Sequence, residues 1–321
     1  MPPTAGSSSS GSQKLPSCTA TVMPEAAVFQ GLSWNPLTDM HQLFAYPFMV
    51  NALEAGTIVA VMAGVTGWFM VLRRQTFAGH TLSVIAFPGA AAASLAGLPL
   101  AVGYFGFCGF GALGLAGIAG SRRSLSAESA AIGSLQALAL ALGFLFVSLY
   151  HGILNGLDSL LFGTFLGITT EQVVVLLAVA GAAVVLVAIA ARPLFFASVD
   201  PDVARAGGVP VAAMGFGFLL VLGLAVAETS QITGALLVFA LLVTPAATAH
   251  QLTARPVLGI VLSVALALAV TWLGLALAYF SIYPVGFYVT SLSFGSYVVV
   301  RVGRALGRRR QLTARLALEA A

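Results

Sequence analysis

The stretch "RPVLGIVLSVALALAVTWLGLALAYFSIYPVGFYVTSLSFGSYVVVR", Arg255 to Arg301, has no charged residue between its terminal arginines. Soluble domains carry roughly 25% charged residues, so a gap this long does not belong to one. It holds two bilayer passes of about 20 residues each. The same reasoning applies upstream, where no charge follows Arg74 until Arg122. Over all 321 residues, 59% are hydrophobic, 7% are charged and the mean hydropathy is +1.01. The chain is therefore expected to be an all-α, polytopic integral membrane protein whose solvent is the lipid bilayer.

Apolar spans are predicted near 55–72, 81–97, 100–120, 129–150, 171–191, 210–228, 231–250, 257–280 and 285–301. That makes nine, or eight if one of the short glycine-rich pairs is not a full crossing. Arg73/Arg74, Arg122/Arg123, Arg192/Arg205, Arg255 and the cluster Arg301, Arg304, Arg308, Arg309 and Arg310 test the count. With nine spans, every basic group falls on one side, which the positive-inside rule makes cytoplasmic. The N-terminus is then outside and the C-terminus inside. The net charge of +4 reads as topology, and without a basic stripe carrying interleaved aromatics nucleic acid is not an expected partner.

Residues 1–40 are rich in Ser, Pro, Gly and Thr and are expected to be a disordered tail. The transmembrane domain covers 41–305, and 306–321 is expected to be a basic cytoplasmic tail. "LFAYPFMVNALEAG" reads as an interfacial helix ahead of the first span, with Asn51 and Glu54 as snorkelling residues at its entrance. His151–Thr170 is too interrupted by Gly, Asn and Asp for a span, and reads as a short outer or re-entrant helix. Gly103, Gly106, Gly109, Gly111, Gly114, Gly117 and Gly120 form a small-residue surface suited to close helix packing. No internal repeat is evident, which disfavours an inverted-repeat secondary transporter. Cys18 and Cys108 suggest neither a disulfide framework nor a metal cluster, and no apolar signal core precedes the "LPSC" at Cys18.

On the arginine side, "RPLFFASVDPDVARAGGVP" predicts a short helix between two spans. Asp200 caps it, Pro201 suits its first position, Asp202 lies in the first turn, and Gly207 and Gly208 end it. Such a helix is a handle for another protein. There is no glycine-rich phosphate loop ending in Gly-Lys-Ser/Thr, so driving energy would have to come from a partner.

Together, "GWFMVLRRQTFAGHTLSVIAFPGAA", "FFASVDPDVARAGGVPV" and "ITGALLVFALLVTPAATAHQL" resemble the membrane permeases of bacterial ABC importers for zinc, manganese and iron. The likeness runs from about Tyr46 to Arg304. It implies a non-enzymatic homodimer in the plasma membrane with one shared pathway and alternating access. The implied partners are an extracytoplasmic metal-binding protein, an ATPase dimer and a second copy of the permease. No cofactor is implied, the divalent metal being the substrate. The family's coupling helix corresponds to Val199, Asp200, Pro201, Asp202, Val203, Ala204, Arg205, Ala206, Gly207 and Gly208. The family's second span usually begins with Asp, two variable residues, Ser and His, an oxygen and nitrogen pair one helical turn apart. Here His80 stands at the Asp position, Ser83 is kept and Val84 replaces the His. That departure leaves import of a chelated metal or another small solute as an alternative, and an ion-coupled secondary transporter as a more distant one.

His80 is either a pathway ligand or a ring satisfied by Thr81, Ser83 or a backbone carbonyl. Glu228 is the sole acid between Ala206 and Ala254, either an entry ligand or a solvated turn residue joining two spans. His151, Asp158 and Glu171 are outer-face candidates for receiving a metal. Pro245, between Thr244 and Thr248, is a candidate kink or gate. His250 is an exit ligand or an interfacial ring.

Overall fold

The computed structural model describes residues 43–120, 125–150, 163, 167–235, 237–281 and 283–319. Among these there is no strand. The helices are α1 (Pro47–Leu72), α2 (Thr76–Ala96), α3 (Leu100–Gly120), α4 (Leu125–Leu149), α5 (Thr170–Val199), α6 (Pro201–Ala206), α7 (Val211–Thr233), α8 (Val238–Leu252), α9 (Pro256–Tyr279) and α10 (Val285–Glu319). Eight of them are long and apolar enough to cross a membrane, and α8 is apolar but shorter.

Helix α1 is the hub, packing against α9, α8, α5 and α7, while α2 packs against α3, α4 and α7. Small residues make this possible. A Cβ on Gly64 would stand 2.6 Å from the Cα of Val264 on α9, and one on Gly67 would stand 2.1 Å from the carbonyl oxygen of Leu242 on α8. Ser263 donates a buried hydrogen bond to the Gly64 carbonyl at 2.8 Å. In lipid, where burying apolar surface gives little drive, close backbone contact and such bonds hold helices together. Many large apolar side chains also face outward: Phe110, Ile189, Val257 and Val299 are each at least 70% exposed, as a hydrocarbon solvent permits.

The predicted glycine surface on α3 divides in two. Gly103 meets the Gly89 backbone and Gly111 meets Ile85, whereas Gly106, Gly109, Gly114 and Gly117 face open space within one chain.

Of the expected interfacial stretch, residues 43–45 are helical and a bend at Tyr46 sets them apart, while the part from Pro47 onward belongs to the first span itself. Pro47 at the first turn starts one continuous 26-residue helix, and the Asn51 amide donates to the Ile168 carbonyl at 3.1 Å, tying it to the start of α5. Glu54 stays exposed. Helix α5 starts at a capping box between Thr169 and Gln172, with Glu171 exposed in its first turn. It runs past Arg192 and Pro193 to Val199, so Val199 belongs to α5 and not to the short helix. That short helix, α6, is otherwise as expected: the Asp200 carboxylate accepts from Asp202 N at 3.1 Å and Val203 N at 3.0 Å, and Gly208 has φ +82°.

The largest difference lies between α7 and α8. The junction expected after Glu228, and the start of the span expected from 231, are both the last stretch of α7, and the break falls at Gly234 with φ +73°. Helix α8 has 15 residues, about 22 Å at 1.5 Å per residue, short of a hydrocarbon core of about 30 Å. The corner is nevertheless buried, with Ala235 and Leu237 inside, and the Gly163 backbone lies against Ile232, Thr233 and Gly234. Irregular backbone is tolerated at membrane depth when protein covers it. At the other end of the chain, α10 continues through nearly all of the predicted tail, to Glu319. The N-terminal tail and most of the expected outer helix fall outside the described residues.

The close approach of α1 to α8 makes Gly67→Val disruptive. It should cost about 3 kcal/mol or prevent accumulation, as overpacking against backbone does. Gly114→Ala, which enters open space, should be neutral or stabilise by up to about 1 kcal/mol through helix propensity. Thermal denaturation of the two variants in detergent checks the contrast.

Candidate functional site

Two ionisable side chains stand unsatisfied within the described helices. Glu228, in the penultimate turn of α7, is fully buried, and neither carboxylate oxygen has a hydrogen-bond partner. Its polar neighbours do not serve it. Thr229, Ser230 and Thr233 donate to the carbonyls of Ala225, Val226 and Thr229 at 2.7, 2.7 and 2.9 Å, each bonding back along its own helix. Glu228 is thus no solvated turn residue, because the segment holding it is helical and internal. An ionised carboxylate without hydrogen bonds or a counter-charge is costly to bury, so this position calls for a proton or a cation.

His80, in the second turn of α2, has its Nδ1 buried and unpartnered. Neither nearby hydroxyl satisfies the ring: Ser83 donates to the His80 carbonyl at 2.7 Å and Thr81 to the Phe77 carbonyl at 2.9 Å. The ring instead meets Phe239 of α8 edge to face at 5.1 Å. Val84, one turn on, is 7% exposed and packs with Ile85, Ala139, Phe107 and Leu135. The position where the family keeps its histidine therefore contributes only to packing here.

The remaining candidates sort by contact. His250 stacks on Trp68 at 4.9 Å, and its Nε2 lies 3.0 Å from the Trp68 carbonyl, so it joins α8 to α1. Trp68 also stacks on Phe195 of α5. Pro245 is buried inside α8, where Thr248 donates to the Thr244 carbonyl at 2.8 Å. His151 and Asp158 lie outside the described residues. The described residues contain no group of three or more His, Cys, Asp or Glu side chains placed to hold a metal ion.

Two features were missed in the sequence. Arg73, at the end of α1, donates to Ser198 of α5 at 3.1 Å and lies over the Phe218 ring of α7 at 5.5 Å. Thr271 of α9 has a buried, unpartnered hydroxyl. Nothing in local spacing signals either one.

Comparison with known proteins places the whole helical domain. Residues 45–303 match the family described as the ABC 3 transport family. Over 214 residues the chain is 32% identical to the manganese transport system membrane protein MntC of Halalkalibacterium halodurans, covering 67% of this chain and 73% of the relative. It is 28% identical over 202 residues to the chelated iron transport system membrane protein YfeD of Yersinia pestis, covering 63% of this chain and 67% of that one. Among solved structures, PsaBC from Streptococcus pneumoniae in complex with Fab superposes with a TM-score of 0.74 at 26% identity, covering 82% of this chain and 94% of that one.

A bare buried carboxylate predicts a stability signature. Glu228→Gln should raise the melting temperature in metal-free detergent. Mn(II) at about 100 times its dissociation constant should stabilise the parent by about 2.7 kcal/mol and the variant far less. Differential scanning calorimetry of the two proteins with and without Mn(II) checks both.

Proposed function

The chain belongs to the ABC 3 transport family, and we propose that it is the permease of an ATP-driven importer for a divalent transition metal: Zn, Mn or Fe. The observation that carries the choice of cargo is the Glu228 carboxylate, buried without a partner in a transport fold. His80 supplies an imidazole nitrogen that is likewise unspent. A carboxylate and an imidazole are donors that first-row divalent metals accept. A pathway needs ligands that release as readily as they bind, and isolated donors suit that better than a closed tetrahedral site. Two copies facing one another would double the donors, with access alternating between the membrane faces. The permease would receive its metal from an extracytoplasmic binding protein.

Energy enters at α6. Its exposed face carries Asp202 and Arg205, joined at 2.6 Å, and Val203, which is 65% exposed. An exposed ion pair of this kind contributes little to stability, so its value lies in what docks there. The ATPase dimer is that partner. The arginine-rich ends of the helices then face the cytoplasm of a bacterial cell, with the N-terminus outside. Pro245 provides a point where α8 can bend.

Val84 in place of a histidine favours a second reading, a metal arriving with its chelator, since fewer protein donors are then needed.

Uptake of radioactive Mn, Zn and Fe by vesicles carrying the reconstituted complex tests the proposal. Glu228→Ala and His80→Ala should each reduce ATP-driven uptake by tenfold or more, and uptake of every metal at the parent rate in both variants would refute the ligand assignment. Free and chelated iron, compared in the same vesicles, separate the two cargoes. Asp202→Lys should abolish ATP-driven uptake while the permease keeps its melting temperature.

A further inference from the structure

Between α5 and α7 an apolar groove is lined by Leu186, Val187, Ala190 and Leu194 on one side and by Met214, Gly217 and Phe218 on the other. Leu186, on its rim, is 51% exposed, so the groove opens to the surroundings of the bundle. The α5 residues recur at helical spacing, and one turn beyond Leu194 the stripe ends at Ser198. Ser198 accepts from Nη1 of Arg73 at 3.1 Å. On the facing helix, Phe218 both lines the groove and lies beneath the Arg73 guanidinium. The groove therefore ends at a half-buried cation.

Among the described residues that cation has no counter-charge. The sole ion pair among the described residues is Arg205 with Asp202. Asp200, two residues past Ser198, is engaged in capping α6. Arg73 is held by neutral groups alone, Ser198 and the Gln75 side chain. Burial pushes its pKa below the usual arginine value, with no carboxylate to oppose the shift.

We propose that this groove binds an anionic phospholipid from the leaflet at the arginine end, one acyl chain lying between α5 and α7 and the phosphate meeting Arg73. The chemistry is complementary at both ends. Hydrocarbon suits a groove whose lining is almost entirely apolar, and a phosphate supplies charged acceptors for the guanidinium. Helices α5 and α7 also flank α6, so the lipid would sit beside the helix proposed to receive the ATPase.

Native mass spectrometry of the full-length permease tests this, with phosphatidylglycerol and phosphatidylcholine of identical acyl chains added in equal amounts. The parent should retain phosphatidylglycerol about fivefold over phosphatidylcholine, the factor for roughly 1 kcal/mol per basic residue. Arg73→Gln should bring the ratio to about one and Arg73→Lys should keep it. Gly217→Leu, whose new side chain enters open space at the groove wall, should lower retention of both lipids while leaving the elution profile unchanged. Equal retention of the two lipids by the parent would overturn the proposal, as would a preference that survives Arg73→Gln. So would a disulfide joining two chains through Gly217→Cys, which would put a second copy in the groove.

Discussion

Helix α1 occupies the centre of this protein because two of its positions have no side chain. At Gly64 and Gly67 the backbones of α9 and α8 come so close that even a methyl group would meet main-chain atoms. Everything else is arranged around that contact. Ser263 reaches the Gly64 carbonyl, Trp68 stacks between His250 and Phe195, and Arg73 at the end of the helix holds α5 and α7. A core in which alanines and glycines let leucine, valine and methionine pack closely, with other large apolar side chains turned outward, suits a protein dissolved in hydrocarbon.

Within such a core an unmatched polar atom is expensive, and that expense separates structural groups from functional ones. Most buried hydroxyls are satisfied by their own helix, as at Thr66, Thr229 and Thr248. Glu228 and His80 are not, although hydroxyls stand beside both. On the proposed function, these two bare groups are the ligands offered to a passing cation. They stand on different helices, and the described residues hold no cluster of three or more His, Cys, Asp or Glu side chains around either.

How much of this was legible in the sequence depended on the range of the interaction. The span order follows from charge spacing, and α6 follows from Asp200, Pro201 and Gly208, because capping is decided within a few residues. The end of α7 was not legible. A run of Glu, Thr, Ser and Gln looks like a junction between two spans, but its hydroxyls bond back to carbonyls four residues earlier and let the helix continue to Gly234. The end of that run lies against Gly163, far away in the chain, a contact that local spacing does not reveal. The merging of the expected interfacial stretch from Pro47 onward into α1 has a similar cause, since Asn51 finds its partner at Ile168. Arg73 looked like a topology marker, and only its contacts with Ser198 and Phe218 give it another role.

The central claim is that metal travels past the Glu228 carboxylate. Anomalous diffraction at the manganese edge, from crystals of the reconstituted complex grown with Mn(II), measures this directly. The account predicts an anomalous peak in contact with the Glu228 carboxylate oxygens or the His80 ring. A metal bound between the two permease copies and touching neither residue would contradict it.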